Sequence, residues 1–216
     1  MEKILFEQIP ELFHSVGVLF AEKKEELCQM DAKLGDGDLG LTMSKGYAAL
    51  PDLMRAEAES AGGDIGKMLI KSGMKMSSLV PSTMGFLMSS GVMEGGKALK
   101  GKTELDGAGL VDYLAGFAAG IQKRGKCETG QRTIYDAVYP AACAAAEVVK
   151  LNEEASLQEV ITPALEASKD GVEKTKEMVP VFGKAAVHAG QSMGVPDQGA
   201  VAGYYKILAM SNYICI

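Results

Sequence analysis

Apolar residues recur at helical spacing along most of this chain of 216 residues. One such stretch runs from Leu12 to Phe20, and another runs from Leu110 to Ile121, shortly after Asp106, a favourable N-cap residue. Spacing of this kind predicts amphipathic helices that each bury one face. The chain is therefore expected to fold by packing helices around a shared apolar core.

Other segments extend the helical prediction. Ser156–Glu159 (SLQE) has the spacing of a capping box and predicts a helix that reaches Val172, and the alanine-rich TIYDAVYPAACAAAEVVK predicts a buried helix bent near Pro140. Helices are also predicted at 39–55, 63–76, 83–99 and 198–211. The only strand candidates are ILF at 4–6 and VPVF at 179–182. We therefore predict an all-α fold of about eight helices.

Composition indicates a single domain. With 47% hydrophobic residues the chain can bury one sizeable core, and no linker or repeat divides it, so we predict one domain over residues 1–216. The formal net charge of −6 argues against a surface for nucleic acid or anionic membranes. No apolar run approaches the roughly 18 residues of a transmembrane helix, and the N-terminus lacks the layout of a secretory signal. These features predict a soluble, cytoplasmic protein.

Cysteine and histidine give little sign of a site. The four cysteines are Cys28, Cys127, Cys143 and Cys215. They lie far apart and form no C-x-x-C pair, so we expect reduced thiols that mostly fill the core, with neither a zinc site nor a disulfide framework. Of the two histidines, His14 lies on a mainly apolar helix face and is predicted to pack against the core, and His188 lies in a glycine-rich segment.

The segment DAKLGDGDLG, residues 31–40, concentrates the carboxylates of Asp31, Asp36 and Asp38 on a glycine-rich backbone. It can be an acidic turn in which Asp38 caps the next helix. A calcium loop beginning at Asp31 is excluded by spacing, because its third, fifth and twelfth positions hold Lys, Gly and Thr. Magnesium remains a candidate, since it takes carboxylate oxygens and commonly bridges them to phosphates.

Two further stretches do not have the character of helix interior. In SSLVPSTMG, residues 77–85, Ser82 and Thr83 can be ordinary helix caps or part of an anion site at a helix N-terminus. The glycine-rich segment 183–200 contains a PDQG turn before the helix predicted at 198–211. Each signal is weak when taken alone.

The order and separation of these stretches resemble one family, the nucleotide-binding L subunits of the dihydroxyacetone kinases. That family carries a GDGDHG motif preceded by another Asp, then GASG, RGKAxxGDKTMxDAL and GRAS…GHxDPGA segments. The counterparts here are DAKLGDGDLG, PSTM, RGKCETGQRTIYDAV and GKAA…GVPDQGA, in the same order. The resemblance extends over nearly the whole chain.

The resemblance implies a barrel of eight antiparallel helices with an adenine nucleotide, ADP or ATP, at one end. It implies that Asp31, Asp36 and Asp38 are catalytic residues that hold two Mg²⁺ ions, which bridge to the nucleotide phosphates. By the same carry-over, the residues that contact the phosphates or the base are Leu39, Gly40, Leu41, Thr42, Ser82, Thr83, Gly125, Ile134, Lys184, Asp197, Gln198 and Gly199.

The chain departs from the family pattern at several positions. Leu39 stands where the family has His, so a hydrogen-bond donor is absent. Lys184 stands where the family has Arg and keeps the positive charge without the bidentate fork. GASG is replaced by PSTM, and DPGA by DQGA. The three aspartates of the implied metal site are unchanged.

These matches imply that the chain presents a Mg-bound nucleotide to a separate K subunit, which holds a small ketose such as dihydroxyacetone. The phosphoryl donor is either exchanging ATP, or bound ADP rephosphorylated by a phosphohistidine protein of the sugar phosphotransferase system. The alternative is a nucleotide-sensing or regulatory module without a kinase role. A homodimer is also compatible with the resemblance. We expect Met84 at the subunit interface, and Phe86 and Met88 in the core.

Overall fold

The chain forms ten α-helices within the residues that the structure, a computed structural model, describes: 2–187, 190 and 192–216. The helices are α1 (Ile9–Glu22), α2 (Lys24–Leu34), α3 (Leu39–Ala61), α4 (Ile65–Leu79), α5 (Thr83–Ala98), α6 (Gly107–Gly125), α7 (Tyr135–Leu151), α8 (Leu157–Lys174), α9 (Gly183–Val187) and α10 (Gln198–Ile214). Two short 3-10 helices lie at Phe6–Gln8 and Thr175–Glu177. The predicted all-α class is confirmed.

Eight of these helices form a closed ring. In the order α1, α3, α4, α5, α6, α7, α8, α10, each packs on the next, and α10 packs back on α1. The shorter α2 lies against α3 and α10, and α9 has only five residues. The ring accounts for the predicted number of about eight helices.

Glycines let neighbouring helices approach closely and show that they run antiparallel. A Cβ added to Gly66 near the start of α4 would lie 2.5 Å from the carbonyl oxygen of Gly96 near the end of α5. Farther along α4, a Cβ on Gly73 would lie 3.2 Å from the carbonyl oxygen of Ser89, which comes earlier in α5. Helices α4 and α5 therefore run in opposite directions with their backbones in contact, and a side chain larger than that of glycine has no room between them.

Side-chain caps fix several helix starts. The predicted capping box is present at α8, where the Ser156 Oγ accepts from the Glu159 N–H at 3.3 Å and Glu159 accepts from the Ser156 N–H at 2.8 Å. Asp106 accepts from the Gly109 N–H at 2.7 Å at the start of α6, as its sequence position predicts. These bonds satisfy N–H groups that have no partner inside the helix.

The strand predictions are half right. Ile4–Leu5 forms a strand, β1, which pairs antiparallel with β2, Glu104–Leu105, a partner that the sequence did not reveal. The second candidate, 179–182, is not a strand, because Pro180 lacks the N–H that a strand ladder needs. Within the described residues, no helix has the length and apolar character to span a bilayer.

Two predictions about the core are wrong. His14 is exposed instead of packed, since it points away from the buried face that Leu12, Phe13 and Val16 form on α1. The cysteines are free thiols as expected, but only Cys127 is buried: Cys28 is partly buried, and Cys143 and Cys215 are exposed. His188 lies outside the described residues.

One lysine lies inside the ring. Lys206 of α10 is fully buried, with its Nζ 4.0 Å from the ring centroid of Phe117 and 4.7 Å from that of Tyr113. The Nζ donates to the Met210 sulfur at 3.2 Å, and no salt bridge within the described part of the chain includes Lys206. Desolvation lowers the pKa of Lys206 to about 7.

Lys206→Met is expected to raise the free energy of unfolding by about 1–4 kcal/mol at pH 6, because an apolar side chain of similar length replaces a buried charge. The unfolded wild type binds more protons than the folded protein between about pH 7 and 10.5, since the pKa of Lys206 is lowered on folding. Wild-type stability should therefore gain a rising contribution across that window, and the variant should lack it.

Urea unfolding at pH 6, 7.5 and 9 measures both effects. The matched control is Lys45→Met, which removes a charge from an exposed position on α3. A variant at position 206 that is less stable than wild type at every pH would show that the contacts with the aromatic rings outweigh desolvation.

Candidate functional site

A cavity of about 660 Å³ lies where four helices of the ring begin. Its wall includes the N-cap residues of α3 (Asp38), α5 (Ser82), α7 (Ile134) and α10 (Asp197). The other lining residues are Asp31, Leu34, Gly35, Asp36, Leu39, Pro81, Thr83, Met84, Phe86, Leu87, Arg132, Thr133, Phe182, Gly183, Lys184, Ala185, Gln198 and Gly199. Because free N–H groups and the positive ends of helix dipoles meet here, the cavity favours an anion.

Asp31 organises the acidic loop. It lies in the last turn of α2, so the expectation that it belongs to the loop is corrected. Its Oδ2 accepts from the N–H groups of Gly37 at 2.9 Å, Asp38 at 3.1 Å and Leu39 at 3.3 Å. Its Oδ1 accepts from the side-chain amide of Gln198 at 3.3 Å. One buried carboxylate thus joins the end of α2, the start of α3 and the start of α10.

The glycines of the loop make this arrangement possible. Gly37 has φ 77°, a left-handed conformation that favours glycine. A Cβ at Gly35 would lie 2.2 Å from the Oδ1 of Asp31, so the missing side chain keeps this oxygen accessible. The stretch therefore bends sharply around Asp31 while its carboxylate still faces the cavity.

The other two aspartates are exposed at the cavity wall. Asp38 begins α3 but makes no side-chain cap bond, which leaves its carboxylate unused by the helix. Asp36 pairs with Lys184 of α9, whose Nζ contacts the Asp36 Oδ1. The bond to Asp36, the charge of Asp36 and the charges of Asp31 and Asp38 together raise the pKa of Lys184.

Hydroxyl groups face the acidic loop from α5. The Ser82 Oγ accepts from the Gly85 N–H at 3.1 Å and lies 3.3 Å from the Thr42 Oγ1 of α3. Thr83 is exposed on the cavity wall. Ser82 is thus a helix cap, as one interpretation of the sequence holds, and its cavity position also suits the anion-site interpretation.

Arg132 lines the cavity from a buried position, and it was not predicted from the sequence as a site residue. Its buried guanidinium donates to the carbonyl oxygens of Thr175 at 3.3 Å, Ser192 at 3.1 Å and Val195 at 2.9 Å. Its Nη1 lies 3.9 Å from the Asp197 Oδ1. The only local signal is its place within the family-like TGQRTI segment, because its carbonyl partners lie more than 40 residues away.

Asp197 is the buried anion beside Arg132. Its Oδ2 accepts from the Ala200 N–H at 2.8 Å and caps α10, while its own N–H donates to the Thr175 Oγ1 at 2.9 Å. Burial raises the pKa of Asp197 to about 6, although the Ala200 N–H and Arg132 favour the charged form. The caps and bonds hold the start of α10 in a fixed position at the cavity.

An apolar wall faces the polar one. Met84, Phe86, Leu87 and Phe182 line the cavity together with the N-cap residue of α7. The Arg124 guanidinium lies 5.0 Å from the ring centroid of Phe86. A flat apolar ring would find suitable contacts on this side.

The residues singled out on α5 divide as follows. Met88 is fully buried, as predicted. Phe86 was also expected in the core but is only partly buried, because it lies on the face of α5 that lines the cavity. Met84 is partly buried, packs against the core and lines the cavity, and its expected interface role stays a prediction.

Most of the predicted site residues line the cavity, but some do not. Thr42 does not line the cavity, but its hydroxyl contacts that of Ser82, which does. Gly40, Leu41 and Gly125 are not among the lining residues. Gly40 packs against α2, where a Cβ would lie 1.9 Å from the Lys24 carbonyl oxygen, and Leu41 is 55% exposed.

The donor set fits a hard cation of the magnesium type. Carboxylates and hydroxyls line the cavity, and among the residues that the structure describes no His or Cys lines it. Within the described residues, no group of three or more His, Cys, Asp or Glu side chains is arranged to hold a metal by itself. Magnesium commonly takes one or two carboxylates and completes its shell with phosphate oxygens and water. Asp36 and Asp38, with the cavity-lining carboxylate of Asp31, can supply that share.

Known proteins share this fold and sequence pattern. The chain is 30% identical over 189 residues to the PEP-dependent dihydroxyacetone kinase 1 ADP-binding subunit DhaL of Listeria innocua. These residues make up 88% of this chain and 87% of that protein. It is 29% identical over 191 residues to the corresponding DhaL subunit of Escherichia coli, with 86% of each chain covered. It is 30% identical over 179 residues to human triokinase/FMN cyclase, covering 30% of that longer protein.

A solved structure supports the same fold. The dihydroxyacetone kinase from C. freundii, in complex with AMP-PNP and Mg²⁺, matches 94% of this chain and 33% of its own, with a TM-score of 0.67 and 21% identity. The DAK2 domain matches residues 33–212. The match covers most of this chain, and the identity to the DhaL subunits extends over most of both chains. The chain therefore belongs to the DAK2 domain family.

Proposed function

We propose that the chain is the nucleotide-binding subunit of a dihydroxyacetone-type kinase, which binds ADP or ATP with Mg²⁺ and serves phosphoryl transfer to a small ketose on a separate K subunit. The observation that carries the proposal is the meeting of four helix N-caps and three aspartates at one cavity. Helix N-termini favour phosphate, whereas carboxylates repel it unless a cation lies between them. A metal-bound polyphosphate satisfies both requirements.

The two walls of the cavity match the two parts of a nucleotide. Asp31, Asp36 and Asp38 would hold Mg²⁺, two ions in the full proposal, and the ions would neutralise charge on the transferred phosphoryl group. Ser82, Thr83 and the N–H groups that begin α5 and α10 would bind phosphate oxygens. The apolar wall of Met84, Phe86, Leu87 and Ile134 would take the base. In such a reaction the protein mainly positions the groups.

The names of the relatives support this assignment. Three relatives are named as ADP-binding subunits of PEP-dependent dihydroxyacetone kinases, and others are named as erythrulose kinases and a triokinase. Dihydroxyacetone or a related triose or tetrulose is therefore the proposed acceptor. The relatives named PEP-dependent favour bound ADP, rephosphorylated in place by a phosphohistidine protein, over exchanging ATP. The expected contacts of Gly40, Leu41 and Gly125 with the nucleotide remain part of the proposal, through their backbone.

Asp36→Asn tests the metal site. Mg-ADP at a hundred times its dissociation constant should stabilise wild type by about 2.7 kcal/mol, which corresponds to roughly 5–11 °C in melting temperature for a chain of this length. The variant should lose most of the shift, because an amide oxygen is a poorer ligand for Mg²⁺ and neutralises none of its charge. Scanning calorimetry with and without Mg-ADP gives the measurement.

Asp170→Asn is the matched control, since Asp170 is exposed on α8 and outside the cavity. It should keep the full wild-type shift. Equal shifts in both variants and wild type, or no shift in any of them, would contradict the proposed site.

Reconstitution tests the kinase role. The chain alone should not phosphorylate dihydroxyacetone. Adding a K subunit with Mg-ATP, or with ADP, Mg²⁺, the phosphotransferase proteins and PEP as the phosphoryl donor, should produce the sugar phosphate. ADP that remains bound after extensive dialysis would support the second donor scheme, and rapid exchange of labelled ATP would contradict it. Mg-ADP binding without sugar phosphate from any K subunit would favour a nucleotide-sensing module instead.

A further inference from the structure

The acidic loop carries its own cation. Lys184 contacts Asp36 at the cavity, although both side chains are more than half exposed, so packing does not force them together. Among the described residues of the wall, the other lysine or arginine is Arg132, which is buried and engaged with Asp197 and three carbonyl oxygens. Lys184 is therefore the lining cation that is able to change partners.

We propose that Lys184 is a competing counter-ion of the metal site, whose ammonium group holds the Asp36 carboxylate in the metal-free protein and yields it when a divalent cation binds. The inference rests on the proposed function, because it takes Asp36 as a metal ligand. The Asp36 Oδ1 that contacts Lys184 is one of the two carboxylate oxygens through which Asp36 could hold a magnesium-type ion. The lysine and the metal therefore exclude each other at this oxygen.

The local backbone suits a side chain that moves. The helix that carries Lys184, α9, has five residues, of which only Ala185 is buried. It begins at Gly183, whose φ of 66° is a left-handed conformation that glycine adopts without steric cost. The preceding Val181 and Phe182 are 54% and 40% exposed. Lys184 can thus leave Asp36 without disturbing the packed ring, and the cavity then places it near a phosphate that the metal brings in.

The exchange has an electrostatic purpose. In the metal-free protein, Lys184 offsets part of the repulsion among three carboxylates. After the metal binds, its charge would be unfavourable beside the cation and favourable beside the nucleotide phosphates. One lysine would therefore lower the affinity for a metal ion alone and raise the affinity for the metal-nucleotide complex, which couples the two ligands.

Lys184→Met tests the competition without nucleotide. Mn²⁺ is the probe, because it prefers oxygen ligands as Mg²⁺ does and its free-ion EPR signal reports binding. The variant should bind Mn²⁺ about two- to fivefold more tightly than wild type, the range expected when an exposed ion pair no longer competes. A residue that only contacts phosphate, or only packs, would leave this affinity unchanged.

Lys33→Met is the matched control. Lys33 lies in the last turn of α2, is exposed and forms no ion pair within the described part of the chain. Its substitution removes the same charge as Lys184→Met without breaking an ion pair. The competition would be overturned if Lys184→Met bound Mn²⁺ no more tightly than wild type. It would also be overturned if Lys184→Met bound Mn²⁺ no more tightly than Lys33→Met. Mg-ADP binding to wild type is measured separately, so a failed competition leaves the proposed function standing, whereas absent Mg-ADP binding removes both.

Discussion

The site depends on one buried carboxylate. Asp31 accepts three backbone N–H groups from the loop that precedes α3 and a fourth hydrogen bond from Gln198 at the start of α10. These bonds decide where α3 begins and therefore where Asp36 and Asp38 lie. Because hydrogen bonds to a carboxylate are stronger than those between neutral groups, the loop is held despite its glycines. A flexible sequence thus becomes a fixed acidic surface.

The ring architecture turns this local arrangement into a binding cavity. In a closed antiparallel ring, alternate helices begin at the same end, so the N-termini of α3, α5, α7 and α10 converge. Four helix dipoles then act on one volume, and each contributes most within its first turn. The acidic loop lies among these positive ends, and the cavity is consequently suited to a ligand that combines cations with phosphate groups.

Local signals explain what the sequence could predict. The helices and the capping box at Ser156 depend on residues within a few positions of each other, and these predictions agree with the structure. Arg132 and the pairing of β1 with β2 depend on partners far along the chain, which periodicity does not reveal. The face of His14 was misjudged because a single helix does not show which neighbours will cover it. Helix α2 was not among the predicted helices, and the glycines that follow Asp31 are typical of a loop.

The contact between α1 and α10 has a consequence for biosynthesis. The Ser15 hydroxyl donates to the Ala209 carbonyl oxygen at 3.2 Å, across 194 residues of sequence. While the ribosome extends the chain, α1 waits with an uncovered apolar side until α10 has emerged from the exit tunnel. The residues Asp197 to Gly199 arrive with that same helix, so a nascent chain has no complete cavity before the ring closes. We therefore expect an incomplete chain to expose the apolar side of α1 that α10 later covers, which favours aggregation until the ring closes.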